Sequence, residues 1–339
     1  MTVMTMAKLL AILLLLQAPR TDRVFEKPLD DTYLIALIRT ITPAAAGVES
    51  VAFRVVLEER ANRSRSWDLE TIRATPHNHE VVRANSGSVV LRRSSDYGFN
   101  EGYIKLFFDP ASKKVTRRVE FTDTGLLQIA DNEIQRTLGV TAEFARQLKT
   151  PFEPKPLPAD LIAATLPQST YADFARLRPA RVKDGYGPGS KIREMIEAYQ
   201  VAGNLIWFGK SFYDGEGITG VGAIGSFDRT TKRFAFLQIP EVVDWSVSNL
   251  LIEGDTIWAG LVRHPEGADR SGGLLRRDNK SGRSQKYAVD DVIFRIERWR
   301  GGLYLTTSNG IYVLTGERIT RHRVEPDING KPALVSEQL

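Results

Sequence analysis

Apolar and polar residues alternate along most of this chain, the period-two signature of strands buried on one face. The alternation comes in short runs, such as Ile192 to Gln200, Val247 to Ile252 and Val292 to Trp299. Each run is followed by a Gly-containing turn and a second run centred on a bulky aromatic residue. Asp, Ser, Thr and Gly fill the connections, which is hairpin chemistry. From about Gly125 to Gly189 the strand pattern stops, and Thr141 to Lys149, Ala159 to Leu166 and Ser169 to Leu177 read as short helices. Pro151, Pro154, Pro156 and Pro158 separate the first two as a stiff, extended linker. Closer to the start, Asp31 to Arg39 reads as a short helix and Val51 to Glu58 as a strand.

The runs are copies of one unit. GNLIWFG (Gly203 to Gly209) with AIGSFDRTTKRFAFLQI (Ala223 to Ile239) aligns with GDTIWAG (Gly254 to Gly260) and GLLRRDNKSGRSQKYAV (Gly273 to Val289), then with GGLYLTTSNGIYVLTGERITRHRV (Gly301 to Val324). Trp207, Trp258 and Tyr304 hold the same place at intervals of 51 and 46 residues, and Asp228 and Asp278 lie 50 apart. A more degraded copy, EVVRANSGSVVLRR (Glu80 to Arg93) with YIKLFFDPASKKVTRRVEF (Tyr103 to Phe121), carries the same turn at Asp109. A period of about 40 to 50 residues suits a four-stranded propeller blade.

The expected fold is therefore all-β: a β-propeller of four-stranded blades with a helical insertion. Four blades are visible, at about 80–121, 190–240, 241–289 and 290–325, and five or six are expected in all. The propeller would run from 23 to 325, with 125–189 as the Pro-rich helical insertion, or alternatively a disguised blade, and 326–339 as a C-terminal tail. Residues 23–75 would complete the ring, since closure removes exposed strand edges.

The repeats IWFG, IWAG and LYLTTSNGIYVL resemble those of the two-component-regulator type of β-propeller. More loosely they are similar to the propeller of the streptogramin lyase group. The resemblance covers about residues 80–121 and 190–325 and concerns fold more than activity. Only the last copy keeps the short Thr307 to Gly310 hairpin, and the two preceding it carry longer charged loops.

Composition narrows the compartment and the chemistry. MTVMTMAKLLAILLLLQAP has one cation, Lys8, and an apolar run from Leu9 to Leu16. That run falls far below the roughly 20 residues of a membrane span and matches a signal peptide at 1–18. The mature chain is expected to be periplasmic or secreted without a membrane span; an uncleaved anchor or a misassigned start is the alternative. Cysteine is absent, which excludes disulfides, thiolate metal sites and a cysteine nucleophile. The 46 basic and 41 acidic residues are interleaved, which argues against a nucleic-acid partner.

Candidate chemistry concentrates in the loops joining the second and third strands of each blade: RSSDYGFNEG (Arg93 to Gly102), KSFYDGEGITG (Lys210 to Gly220) and RHPEGADRSGG (Arg263 to Gly273). Tyr97, Tyr213, Asp214, Glu216, Arg263 and Arg270 are the expected contacts for a protein, glycan or small polar ligand, because aromatic and Arg side chains dominate binding surfaces. Asp214, Glu216, Glu266 and Asp269 offer hard oxygens to a divalent cation if the loops converge. His264 with Glu266 is the candidate general base, and the likeness to streptogramin lyases would make these a metal-assisted lyase or hydrolase site. Against these stand blander roles: solvated hairpin tips for the loops, blade packing for Trp207, Trp258 and Tyr304, and turn capping for Asp109, Asp228 and Asp278. His77 and His79 could form half a metal site, with a turn before a strand as the alternative. No resident cofactor is implied. The expected role is binding without catalysis, the alternatives being the lyase-like enzyme and a structural component of an envelope assembly.

Overall fold

The computed structural model describes residues 19–43, 49–74, 78–94, 100–122, 125–150, 156–164, 193–213, 222–263 and 270–339. The fold is all-β, and the strands among the described residues form five antiparallel sheets, each a meander of consecutive strands. Contacts divide it into two compact units, one comprising Met1–Asp123 with Pro326–Lys331 and the other Thr124–Glu325 with Pro332–Leu339. Among the described residues no helix is long and apolar enough to cross a membrane.

The first unit holds two sheets. Sheet one is β1 (Arg20–Pro28), β2 (Tyr33–Pro43), β3 (Glu49–Glu59) and β4 (Asn62–Ala74); sheet two is β5 (Asn78–Asn85), β6 (Ser88–Ser94), β7 (Asn100–Asp109) and β8 (Lys114–Phe121). Ile35, Leu37, Phe53, Val55 and Leu57 of sheet one share a core with Val89, Leu91, Ile104 and Leu106 of sheet two. Burying a side chain of this kind contributes about 1.5–3 kcal/mol. Arg23 grips the buried carboxylate of Glu58 with two hydrogen bonds of 2.8 and 3.0 Å.

The expected helix at Asp31 to Arg39 is a strand, β2. Leu34, Ile35, Ala36 and Leu37 are all buried, so this run has both faces covered and carries no period to read. Its β-branched content, Ile35, Ile38, Thr40, Ile41 and Thr42, favours the extended backbone. Asp30, which imitates a helix cap in sequence, accepts the backbone N–H groups of Thr32 and Tyr33 at 2.7 Å and turns the chain into the strand.

The second unit holds three sheets. Sheet three is β9 (Arg193–Ala202), β10 (Leu205–Tyr213), β11 (Ala223–Asp228) and β12 (Arg233–Leu237), and sheet four is β13 (Ser246–Glu253), β14 (Thr256–Arg263), β15 (Arg270–Asp278) and β16 (Ser284–Tyr287). Sheet five is β17 (Ile293–Trp299), β18 (Gly302–Thr307), β19 (Gly310–Thr315), β20 (Arg318–Pro326) and β21 (Pro332–Gln338). Residues 326–339, expected as a tail, therefore contain a strand. β21 is held to sheet five by Arg321 to Glu337 and by His322 Nδ1 to Ser336 Oγ at 2.8 Å, and to the inserted segment by the Leu334 N–H donating to Glu133 at 2.7 Å.

The aspartate turns are the same structure three times over. In Asp109, Asp228 and Asp278 the side chain accepts N–H groups two or three residues on, and the backbone carbonyl accepts the N–H of Lys113, Lys232 or Gly282 at 2.7 to 2.8 Å. That fourth residue is left-handed in each, at φ 60, 56 and 72. Glycine is required elsewhere, in the first half of the third strand. A Cβ on Gly310 (φ 150) would stand 2.1 Å from the His322 carbonyl oxygen, and one on Gly273 (φ 83) 2.4 Å from that of Tyr287. Gly310→Ala is expected to lose about 1–3 kcal/mol, the range for enforced backbone strain, in urea unfolding followed by tryptophan fluorescence.

The inserted segment supplies helices α1 (Asp131–Leu138), α2 (Ala142–Lys149) and α3 (Ala159–Ala163). Helix α2 matches the expected one, with Thr141 as its N-cap accepting from the Phe144 N–H. The third helix begins where expected and is capped at Ala164, while Ser169 to Leu177 lies outside the described residues. Helix α1 is unanticipated, although Asp131 and Glu133 in its first turn and left-handed Gly139 after its last are ordinary boundary signals. These helices cover the ends of a stack. Sheets three and four share one core and sheets four and five another; Leu161 of α3 closes on Ile206, Phe208 and Phe227 of sheet three, and Phe144, Ala145 and Leu148 of α2 close on Tyr304 and Ile311 of sheet five.

Candidate functional site

The aromatic repeats resolve into packing. Trp207 lies against the core between sheets three and four, Trp258 against the core between sheets four and five, and Tyr304 against α2, where the Phe144 ring meets it edge-on at 5.2 Å. One position of the repeat thus seals each layer of the second unit onto the next. Burial pushes the Tyr304 phenol above its ordinary value. The carboxyl of Asp109 is held below its usual range by hydrogen bonds from Ser112 and Ala111, that of Asp228 by the N–H groups of Thr231 and Thr230, and that of Asp278 by Ser281. These aspartates serve the turns.

The long connections lie at the opposite ends of the strands from those turns. Tyr97, Asp214, Glu216, His264, Glu266 and Asp269 fall outside the described residues, as does His77. Tyr213 ends β10, paired with Arg193 of β9. Arg263 and Arg270 close the β14–β15 ladder and stand directly opposite one another at the mouth of the 264–269 connection. Arg270 is exposed, whereas the Nε of Arg263 is buried and has no hydrogen-bond partner among the described residues. Like charges directly across an antiparallel pair repel, so an acceptor or an anion at the mouth of this loop would relieve them. His79 is buried on β5, its ring tilted against Phe53 at 5.2 Å. Among the described residues no three His, Asp or Glu side chains gather as metal ligands.

Two polar groupings escaped the sequence reading. Around the start of sheet five, Asp291 accepts from Tyr312 Oη and from Asn309 Nδ2, both at 2.7 Å, and Arg321 bridges Asp290 at 2.8 Å and Glu337. Arg321, Asp291 and His322 are buried. Burial and the Asp291 charge push the Tyr312 phenol well above its usual value, and burial pushes the His322 imidazole below 6.5. Burial opposes the Arg321 charge, but hydrogen bonds to Glu337 and Tyr312 outweigh it and hold the guanidinium above its ordinary value.

The second grouping surrounds Trp258. Its indole N–H donates to Glu253 at 3.1 Å, and Arg298 donates to the same carboxylate at 2.9 Å through Nε. Arg298 lowers the Glu253 carboxyl below its usual range. Arg298 and Arg276 each lie over the indole ring, at 5.7 and 5.6 Å from its centre. These side chains come from four strands in two sheets, which no local motif connects.

No family model matches the chain, and no curated protein matches it. Solved structures similar to it include an ulvan lyase of a polysaccharide lyase family, 10% identical over 93% of this chain and 69% of that one, with a TM-score of 0.26. The extracellular domain of a one-component system from B. thetaiotaomicron is 10% identical over 90% of this chain and 33% of that one, with a TM-score of 0.26. The β-propeller domain of the Trilobed protease from Pyrococcus furiosus is 8% identical over 94% of each chain, with a TM-score of 0.23. Similarity at this level decides neither fold family nor activity.

Proposed function

We propose that this chain is an exported β-propeller whose blades are its five sheets and which binds a protein, a glycan or a small polar ligand through its loop face without chemistry of its own. The fold part of this reading is supported by five successive meanders, by the aspartate turn recurring in three of them, and by one bulky aromatic per layer at equivalent positions. The binding part rests on one observation. Arg263 and Arg270 oppose each other across the mouth of a charged connection, an arrangement that costs stability unless something neutralises it.

The test is a thermal-shift screen of the protein against glycans, organic acids and divalent metals, repeated on Arg263→Ala/Arg270→Ala. A ligand present at 100 times its Kd stabilises the folded state by about 2.7 kcal/mol. The expected result is a rise in melting temperature with at least one polar ligand, lost in the double variant. A ligand-induced rise that survives the double variant would exclude the loop mouth, and turnover of any ligand would exclude a purely binding role.

A further inference from the structure

At the tight-turn end of sheets four and five, away from the long connections, the surface opens into a cleft of about 320 Å³. Trp258 and Arg276 come from facing positions of β14 and β15, Arg298 from β17, and Leu314, Gly316 and Glu317 from the β19–β20 hairpin. The volume is at the small end of organic-ligand sites, which run from about 300 to 1,000 Å³.

The charges around the indole are unequally matched. Arg298 is neutralised by Glu253, which also takes the indole N–H. Arg276 is exposed and lies over the same ring; its charge acts on Asp278 at longer range, and among the described residues it makes no direct hydrogen bond or ion pair. A guanidinium with five donors, fixed beside an aromatic ring and facing an opening, is suited to a planar carboxylate. Across the cleft, the exposed Glu317 is an acceptor and suits hydroxyl donors. Trp258 and Leu314 line the floor and are themselves almost fully buried, 5% and 2% exposed. Gly316, left-handed at φ 62, has nothing within 4 Å of where a Cβ would stand, so the hairpin leaves the opening unobstructed.

We propose that this cleft is a second binding site, separate from the loop mouth, for a small hydroxylated carboxylate of the hexuronate kind. Its carboxylate pairs with Arg276 and its hydroxyls donate to Glu317, over the closed floor that Trp258 and Leu314 make. The site does not depend on the loop-face reading, since its residues belong to the other end of the strands.

Isothermal titration with D-glucuronate, D-glucose and acetate tests it, using the wild-type protein, Arg276→Gln, and Arg283→Gln as an equal loss of charge on an exposed turn. Glucuronate is expected to bind at least tenfold more tightly than glucose or acetate. Arg276→Gln should weaken it about tenfold or more, as loss of a charged hydrogen-bonded pair does, and Arg283→Gln should leave it within about twofold. Absence of glucuronate binding, equal binding of acetate, or an unchanged affinity in Arg276→Gln would each overturn the assignment. Arg263→Ala/Arg270→Ala separates the two sites: glucuronate affinity lost there instead would place the ligand at the loop mouth.

Discussion

Arg321→Ala is expected to destabilise the second unit by about 3 kcal/mol, at the low end of the range for removing one member of a buried ion pair. Arg321 is 6% exposed, and its guanidinium joins Asp290 of the preceding connection to Glu337 of the last strand. The low end applies because both carboxylates reach water, with side-chain exposures of 66% and 29%, and can be resolvated when the cation leaves. Arg321→Met keeps most of the stem and deletes the charge, so it separates packing from electrostatics and is expected to cost less than alanine. Urea unfolding of both variants measures this. Equal losses would mean that the arginine acts through its volume alone, and no loss in either would mean that β21 is held by its backbone.

Phe144→Ala should cost more, about 3–5 kcal/mol, as for other fully buried aromatic truncations. Its ring stacks on Trp299 at 4.7 Å, meets Tyr304 edge-on, and sits in the core that joins α1 and α2 to sheet five. The fluorescence of Trp299 should shift to longer wavelength at denaturant concentrations too low to unfold the sheets, because the helical cover would loosen first. If Trp299 reports only the global transition, the helices and sheet five are one cooperative block.

How much of this was readable in sequence follows from the range of each determinant. The aspartate turns and the Trp207, Trp258 and Tyr304 positions repeat within about 50 residues, and both their spacing and their local chemistry are visible in one dimension. Strand β2 was misread because burial on both faces erases its period. Strand β21 was missed because its anchors, Glu337 and Ser336, find partners in Arg321 and His322 rather than in any pattern of their own. At the candidate sites, register placed Arg263 opposite Arg270, a relation that a hairpin implies. The Trp258 cleft draws on residues 258, 276, 298 and 317, and only the stacking of two sheets brings them together.

The order of the helices along the chain has a consequence for its synthesis. Leu148 and Thr306, which meet where α2 is sealed onto sheet five, are 158 residues apart. A ribosome adding about 5–20 residues per second would expose the apolar face of α2 for about 8–30 s before its partner exists. Each meander can close on local contacts as it emerges, but this helical pair must wait, and nascent chains paused within that interval are where a holding chaperone would find its substrate.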